Sequence, residues 1–128
     1  MGTSGLEVLL AGVPLVVEPL TAEAFKPFGD VIEASESAQH FSINQGFAQR
    51  FHRLAQVDVT QGGGEPALSI FKARARPQPV QLSVLEKHPH GSQAFVPMSG
   101  HPYLVVVALG ADQPDLKSLR CFDERVRS

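Results

Sequence analysis

Residues 80–100 read Val80-Gln81-Leu82-Ser83-Val84-Leu85-Glu86-Lys87-His88-Pro89-His90-Gly91-Ser92-Gln93-Ala94-Phe95-Val96-Pro97-Met98-Ser99-Gly100. Val80, Leu82 and Val84 alternate with Gln81, Ser83 and Leu85, the period-two pattern of a half-buried strand. The strand runs out into two histidines spaced two apart, a spacing that points both rings the same way at a strand end. Gln93 follows three residues after His90 and opens the next strand, Ser92 to Val96. Gly100 then closes a hairpin back into Tyr103 to Ala108. Strand, histidine pair, strand and turn predict a β architecture with its polar chemistry gathered at one strand end.

The rest of the chain has the same short-segment character. Ten prolines and eleven glycines punctuate it, leaving pieces of about five to nine residues, as in an all-β barrel or sandwich. Leu15 to Glu18 reads as a first strand, followed by one helical turn, Ala22 to Phe25, with Thr21 as N-cap and Pro27 as its end. Gly29 to Glu33 reads as a strand and Ser35 to Gln39 as a loop. Phe41 to Asn44 and Ala48 to Leu54 bracket a Gln45-Gly46 turn. Val57 to Thr60 and Ala67 to Ala73 are further strands, separated by the glycine-rich loop Gln61 to Gly64. From Asp115 the spacing changes. Leu116, Leu119, Phe122 and Val126 recur near the helical period, with Asp115 as N-cap, and predict a short C-terminal helix.

At 128 residues the chain has room for one core and not for two. Apolar residues make up 43% and charged residues 19%, ordinary values for a globular domain. A formal charge of −2 provides no basic footprint, so nucleic acid is not expected as a partner. Cys121 is the single cysteine, which excludes an internal disulfide and suits a reducing, cytoplasmic setting. No apolar run approaches the roughly 20 residues of a membrane span. Leu6 to Val17 lacks a positive n-region and is interrupted by Glu7 and Pro14, so neither a membrane partner nor a signal peptide is expected. Met1 to Gly5 reads as a loose start.

The order His88-x-His90, then Gln93, then Gly100 resembles the first signature of the cupin superfamily. There a histidine pair and an acidic or amide residue supply metal ligands. The gap after His90 is one residue short, and glutamine replaces the usual glutamate; a neutral carbonyl is the weaker ligand for a divalent cation. Other blocks extend the likeness over about Val16 to Leu119. They are Glu18-Pro19-Leu20-Thr21 through Phe28-Gly29-Asp30-Val31-Ile32, Ile43-Asn44-Gln45-Gly46 with Arg50-Phe51-His52, Ser69-Ile70-Phe71-Lys72-Ala73, and Leu85 to Pro97. Taken in order, these blocks resemble the ureidoglycolate lyase family, whose members split ureidoglycolate into glyoxylate and urea in allantoin and purine catabolism. The resemblance implies a mainly β chain: an antiparallel cupin-like β barrel of the jelly-roll type, closed or incomplete, with the short C-terminal helix outside it and His88 and Gln93 facing in. Residues 1–14 are then an N-terminal extension and residues 15–128 the domain. The family pattern continues beyond Leu119 with a glycine-rich turn, an Asn-Tyr pair, a Gly-x-Trp-His-His-Pro stretch and a last strand with an aspartate. Cys121 to Ser128 match none of this, so the expectation is a domain cut short at its C-terminus and lacking the second cupin signature. Such a chain is expected to expose a sheet edge and to dimerise or aggregate.

On this reading the substrate is ureidoglycolate, which carries a carboxylate, a hydroxyl and a ureido nitrogen on one carbon. Eliminating urea needs removal of the hydroxyl proton, a donor to the departing nitrogen and a partner for the carboxylate. Imidazole titrates near neutrality, which makes His88 the first candidate for proton transfer or metal ligation. Gln93 joins it as a catalytic candidate, and Ser92 as a substrate-binding hydrogen-bonder. Arg50 or Lys72 would hold the carboxylate, Arg through a fork and Lys as a point charge; His52 is a weaker acid–base candidate. If a divalent metal such as nickel assists, His88, His90 and Gln93 are its ligands. Each residue also has a structural reading: His-Pro-His as a solvated turn, Arg50 and Arg53 as solvated flanks of Phe51, Lys72 as the outward neighbour of Phe71, Ser92 as a local hydrogen-bonder. His40 and His101 read as surface, and Cys121 lacks a base partner for nucleophilic work. Two other functions stay open beside the lyase: a metal-dependent cupin of another activity, and a non-enzymatic cupin binding a small carboxylate. A homodimer is the expected assembly.

Overall fold

Two adjacent side chains, Cys121 and Phe122, set the architecture. They are 1% and 0% exposed, and because successive strand residues point to opposite faces, their strand must be covered on both sides. The computed structural model describes residues 6–124, and residues 1–5, expected as the loose start, lie outside the described residues. Eight strands are assigned within it. They are β1 (Val8–Leu10), β2 (Val13–Pro14), β3 (Val17–Pro19), β4 (His40–Ile43), β5 (Ala48–Phe51), β6 (Val80–Leu82), β7 (Tyr103–Val107) and β8 (Arg120–Glu124), with one helical turn, α1 (Ala22–Phe25). The mainly β expectation is met. The strands lie in three sheets, ordered β2-β1-β6, β3-β8-β7 and β4-β5, rather than in a closed barrel, and the β1–β6 and β3–β8 pairings are parallel.

β8 is the centre of its sheet. Cys121 sits opposite Val17 on one side and Val106 on the other; Phe122 sits opposite Glu18 and Val105. The Cys121 face meets the first sheet through Val8 and Val80, with Leu15, Val17, Leu82, Leu104, Val106 and Leu119 packed around them. The Phe122 face is covered by Phe25 of α1 and by Phe28, with ring centroids 5.4 and 6.2 Å away in edge-on geometry. Full burial of such a side chain stabilises the fold by roughly 1.5–3 kcal/mol. Arg120, on the Phe122 face, forks onto Glu18 (Nε–Oε2 3.0 Å, Nη2–Oε1 2.5 Å) and donates from Nη1 to the Ala24 carbonyl at 3.1 Å. It ties β3, β8 and α1 together, and Glu18 pushes its guanidinium pKa further up.

Local chemistry explains the smaller elements. Thr21 caps α1 as expected, its hydroxyl accepting from the Ala24 N–H at 3.1 Å. Ala11 and Gly12, both at positive φ, form the two-residue turn that joins β1 and β2. The segment expected as an extension therefore joins a sheet, with Val8 in the core and in register with Val80. The Gln45-Gly46 turn closes the β4–β5 hairpin as expected.

The C-terminal helix is not formed. Asp115 does cap, accepting from the Lys117 N–H, but one 3-10 turn, Leu116–Ser118, follows before Leu119 becomes extended (φ −63, ψ 129). Strand pairing on both flanks satisfies the backbone of 120–124 in place of helical bonds; Val126 lies outside the described residues. The strands expected at 29–33, 57–60, 67–73 and 92–96 are also absent, because no neighbouring segment offers them a ladder. Among the described residues no helix is long and apolar enough to cross a membrane.

Candidate active site

The segment after β6 leaves the sheet at Ser83 and has no strand pairing until Tyr103. His88 and Gln93, expected to face a barrel interior, are both exposed. The barrel that would have enclosed them is not closed, so alternation had no inner face to select. His88 is half exposed (50%), with Nε2 3.2 Å from Glu86 Oε2. The two side chains form an ion pair when the imidazole is protonated.

His90 and Ser92 are held by a second segment some thirty residues earlier. Ser92 N–H donates to the Asp58 carbonyl at 2.6 Å, and Asp58 N–H donates to Ser92 Oγ at 3.0 Å. Asp58 Oδ1 accepts from the Thr60 N–H (2.9 Å) and hydroxyl (2.7 Å). These bonds, the backbone one first, hold its carboxyl below the usual carboxylate range. His90 Nδ1 lies 2.5 Å from the Gly62 carbonyl. The segments cross so closely that a Cβ on Gly91 would lie 2.6 Å from the Asp58 carbonyl oxygen, and one on Gly64 would strike the His90 carbonyl. Glycine is required at both positions.

The substrate-binding candidates stand elsewhere. Arg50 lies 5.8 Å over the Phe41 ring on the hairpin, and Lys72 is exposed in the unpaired 67–73 segment. No hydrogen bond or ion pair among the described residues links Arg50 or Lys72 to His88, His90, Ser92 or Gln93. His52 is half-buried, and its Nδ1 has no hydrogen-bond partner. His40, expected at the surface, is half-buried, stacks on Phe51 at 5.1 Å and bonds the Ala38 carbonyl. An open hollow of about 400 Å³ at the hairpin tip, lined by Ser42, Gly46, Phe47, Ala48 and Gln49, includes none of the candidates. Among the described residues no three His, Cys, Asp or Glu side chains converge as a metal site would require.

Sequence reasoning missed Asp58, Thr60 and Gly62 as the support of the histidine segment, and Arg120 as the tie of the sheet. The Asp58-x-Thr60 pattern ahead of three glycines is an Asx-turn signal. It marks a tight turn and leaves its partner unspecified.

A family model described as ureidoglycolate lyase matches residues 13–127. The chain is 51% identical over 108 residues to the ureidoglycolate lyase of Pseudomonas savastanoi pv. phaseolicola, covering 84% of this chain and 63% of the relative. It is 52% identical over 108 residues to that of Pseudomonas syringae pv. syringae, with the same coverage. It is 50% identical over 116 residues to that of Burkholderia cepacia, covering 88% of this chain and 64% of the relative. The chain thus spans a little under two thirds of the length of these relatives.

Proposed function

Because this chain belongs to the ureidoglycolate lyase family, we propose that it serves the reaction named for its relatives, the release of urea from ureidoglycolate to leave glyoxylate. The observation that carries the reading is the family match over residues 13–127, within which the histidine segment and its support both fall. In the elimination the C–N bond breaks with its electron pair going to the ureido nitrogen, which takes up a proton. The hydroxyl loses its proton as the O–H pair becomes the new C=O bond. His88 is the proposed proton-transfer group, accepting on its unprotonated ring nitrogen. Ser92 and Gln93 are proposed to orient the substrate's polar groups. Arg50 or Lys72 is proposed for the carboxylate.

If a divalent cation such as nickel assists, His88, His90 through Nε2 and the Gln93 carbonyl are the donors. These side chains do not converge in this arrangement, and no step is routed through a metal. The proposed setting is cytoplasmic allantoin and purine catabolism, and the proposed assembly is a homodimer. The exposed apolar side chains of Leu68, Ile70, Phe71 and Phe95 support association with a second copy. The test is urea release from ureidoglycolate by the purified chain, with folding followed by circular dichroism. Glyoxylate and urea in equal amounts are expected; folded protein that binds ureidoglycolate without turnover would favour the binding-protein reading and overturn this one.

A further inference from the structure

We propose that Asp58 is a positioning residue for the histidine segment. The turn it builds over residues 58–64 holds the Gly62 carbonyl against His90 Nδ1, so that His90 Nε2 carries the ring's lone pair. This rests on the lyase reading only for its catalytic consequence; the geometry stands by itself. A carbonyl oxygen has no proton to give, so the His90–Gly62 contact requires Nδ1–H as donor. In a neutral imidazole the other nitrogen is then the acceptor. His88 Nε2 lies 3.2 Å from Glu86 Oε2, an ion-pair contact that fixes no tautomer. Of the two histidines, His90 is the one whose ring is oriented by a backbone hydrogen bond, and it presents a Nε2 lone pair.

Asp58 holds this arrangement through two connections. Its backbone closes a ring with Ser92, accepting at 2.6 Å and donating at 3.0 Å. Its carboxylate fixes Thr60 through two bonds, just before the chain reverses at Gly62 and Gly63 with φ of 73 and 77. Three successive glycines have large conformational freedom to lose, and the Asx turn is the side-chain bond that enters this run from its N-terminal side. Remove the carboxylate, and the Gly62 carbonyl has little to keep it on His90.

The experiment is nitrogen-resolved NMR of the imidazoles in the chain, at a pH above the ordinary imidazole range, for wild type, Asp58→Asn, Asp58→Ala and Thr60→Val. In wild type His90 should show a pyrrole-like Nδ1 and a pyridine-like Nε2. Asp58→Asn, which keeps an oxygen acceptor, should preserve that split. Asp58→Ala should collapse it toward the averaged pattern of free imidazole. Thr60→Val, a mild change that spares the backbone bond, should narrow it in part. Turnover of ureidoglycolate by Asp58→Ala should fall about tenfold in kcat, with KM changed by no more than about twofold, as expected for lost orientation rather than lost binding. An averaged His90 in wild type, or an unchanged split in both Asp58→Ala and Thr60→Val, would overturn the proposal. A split that follows Asp58 in a protein without lyase turnover would sustain the positioning role and defeat the lyase reading instead.

Discussion

The sheet centred on β8 and the segments 67–73 and 83–98 all carry apolar, strand-forming side chains, yet they end in opposite environments. Cys121 and Phe122 are enclosed between two layers, whereas Leu68 is 102% exposed and Phe71 82%. The difference is one of partners. β8 has a strand on either edge, a sheet against one face and an aromatic pair against the other. Residues 67–73 carry strand-forming side chains with no ladder beside them. Propensity is realised where a neighbour satisfies the backbone, and it lapses where none does.

That contrast can be broken most directly by truncating one aromatic in each region. Phe122→Ala should cost about 3–5 kcal/mol in urea unfolding, and Phe71→Ala no more than about 0.5 kcal/mol, as at other exposed sites. Similar losses at the two positions would show that 67–73 is packed. Within the polar part of the second region, His88→Ala should lower turnover by on the order of 10², while His101→Ala should leave it nearly unchanged. Equal effects would mean the site has been misplaced. A smaller effect is expected from Ile70→Ser combined with Phe71→Ser: less light scattering at high concentration, with the unfolding midpoint retained. Unchanged scattering would remove these side chains from any contact between copies.

The finest discriminator is pH. Burial, aided by Glu18, raises the Cys121 thiol above its ordinary value of 9.0. A raised pKa in the fold means that this contribution to stability is whole below the ordinary value and is lost as pH climbs through the raised one. Asp58 behaves in the opposite sense. Its depressed carboxyl contributes above the ordinary carboxylate value, and the contribution is lost as pH falls through the lowered one. Cys121 should therefore label slowly with a thiol reagent near pH 9 until urea is added; rapid labelling of the folded chain would contradict its enclosure.

Much of the packed region was legible from local signals. Thr21 declared the cap of α1, Val80-Gln81-Leu82 declared a strand, and Gln45-Gly46 declared a hairpin. Residues 120–124 were not legible as a strand, for a physical reason. A strand buried on both faces loses its alternation, and Leu116, Leu119 and Phe122 happen to fall at helical spacing. Leu116 is in fact exposed, which a helix with an apolar stripe would not allow. The candidate site was legible as a segment, His88 to Gln93, because its residue types are unusual together. Its support was not, since the link from Asp58 to Ser92 is a tertiary contact that no local pattern announces.

The parallel pairing of β3 with β8 has a consequence for how the chain comes into being. Glu18 and Arg120, which clamp that pairing, are separated by 102 positions, so an early-made strand must wait for a late-made one. At synthesis rates of about 5–20 residues per second the delay is on the order of 5–20 s. Through that interval α1 and β3 have no sheet to settle on, and Phe25 and Phe28 have no Phe122 to cover. The decisive step of folding therefore waits for residues 120–124. Its speed is governed by a long loop closure rather than by any local element, and until that closure the apolar faces of residues 17–28 stay uncovered.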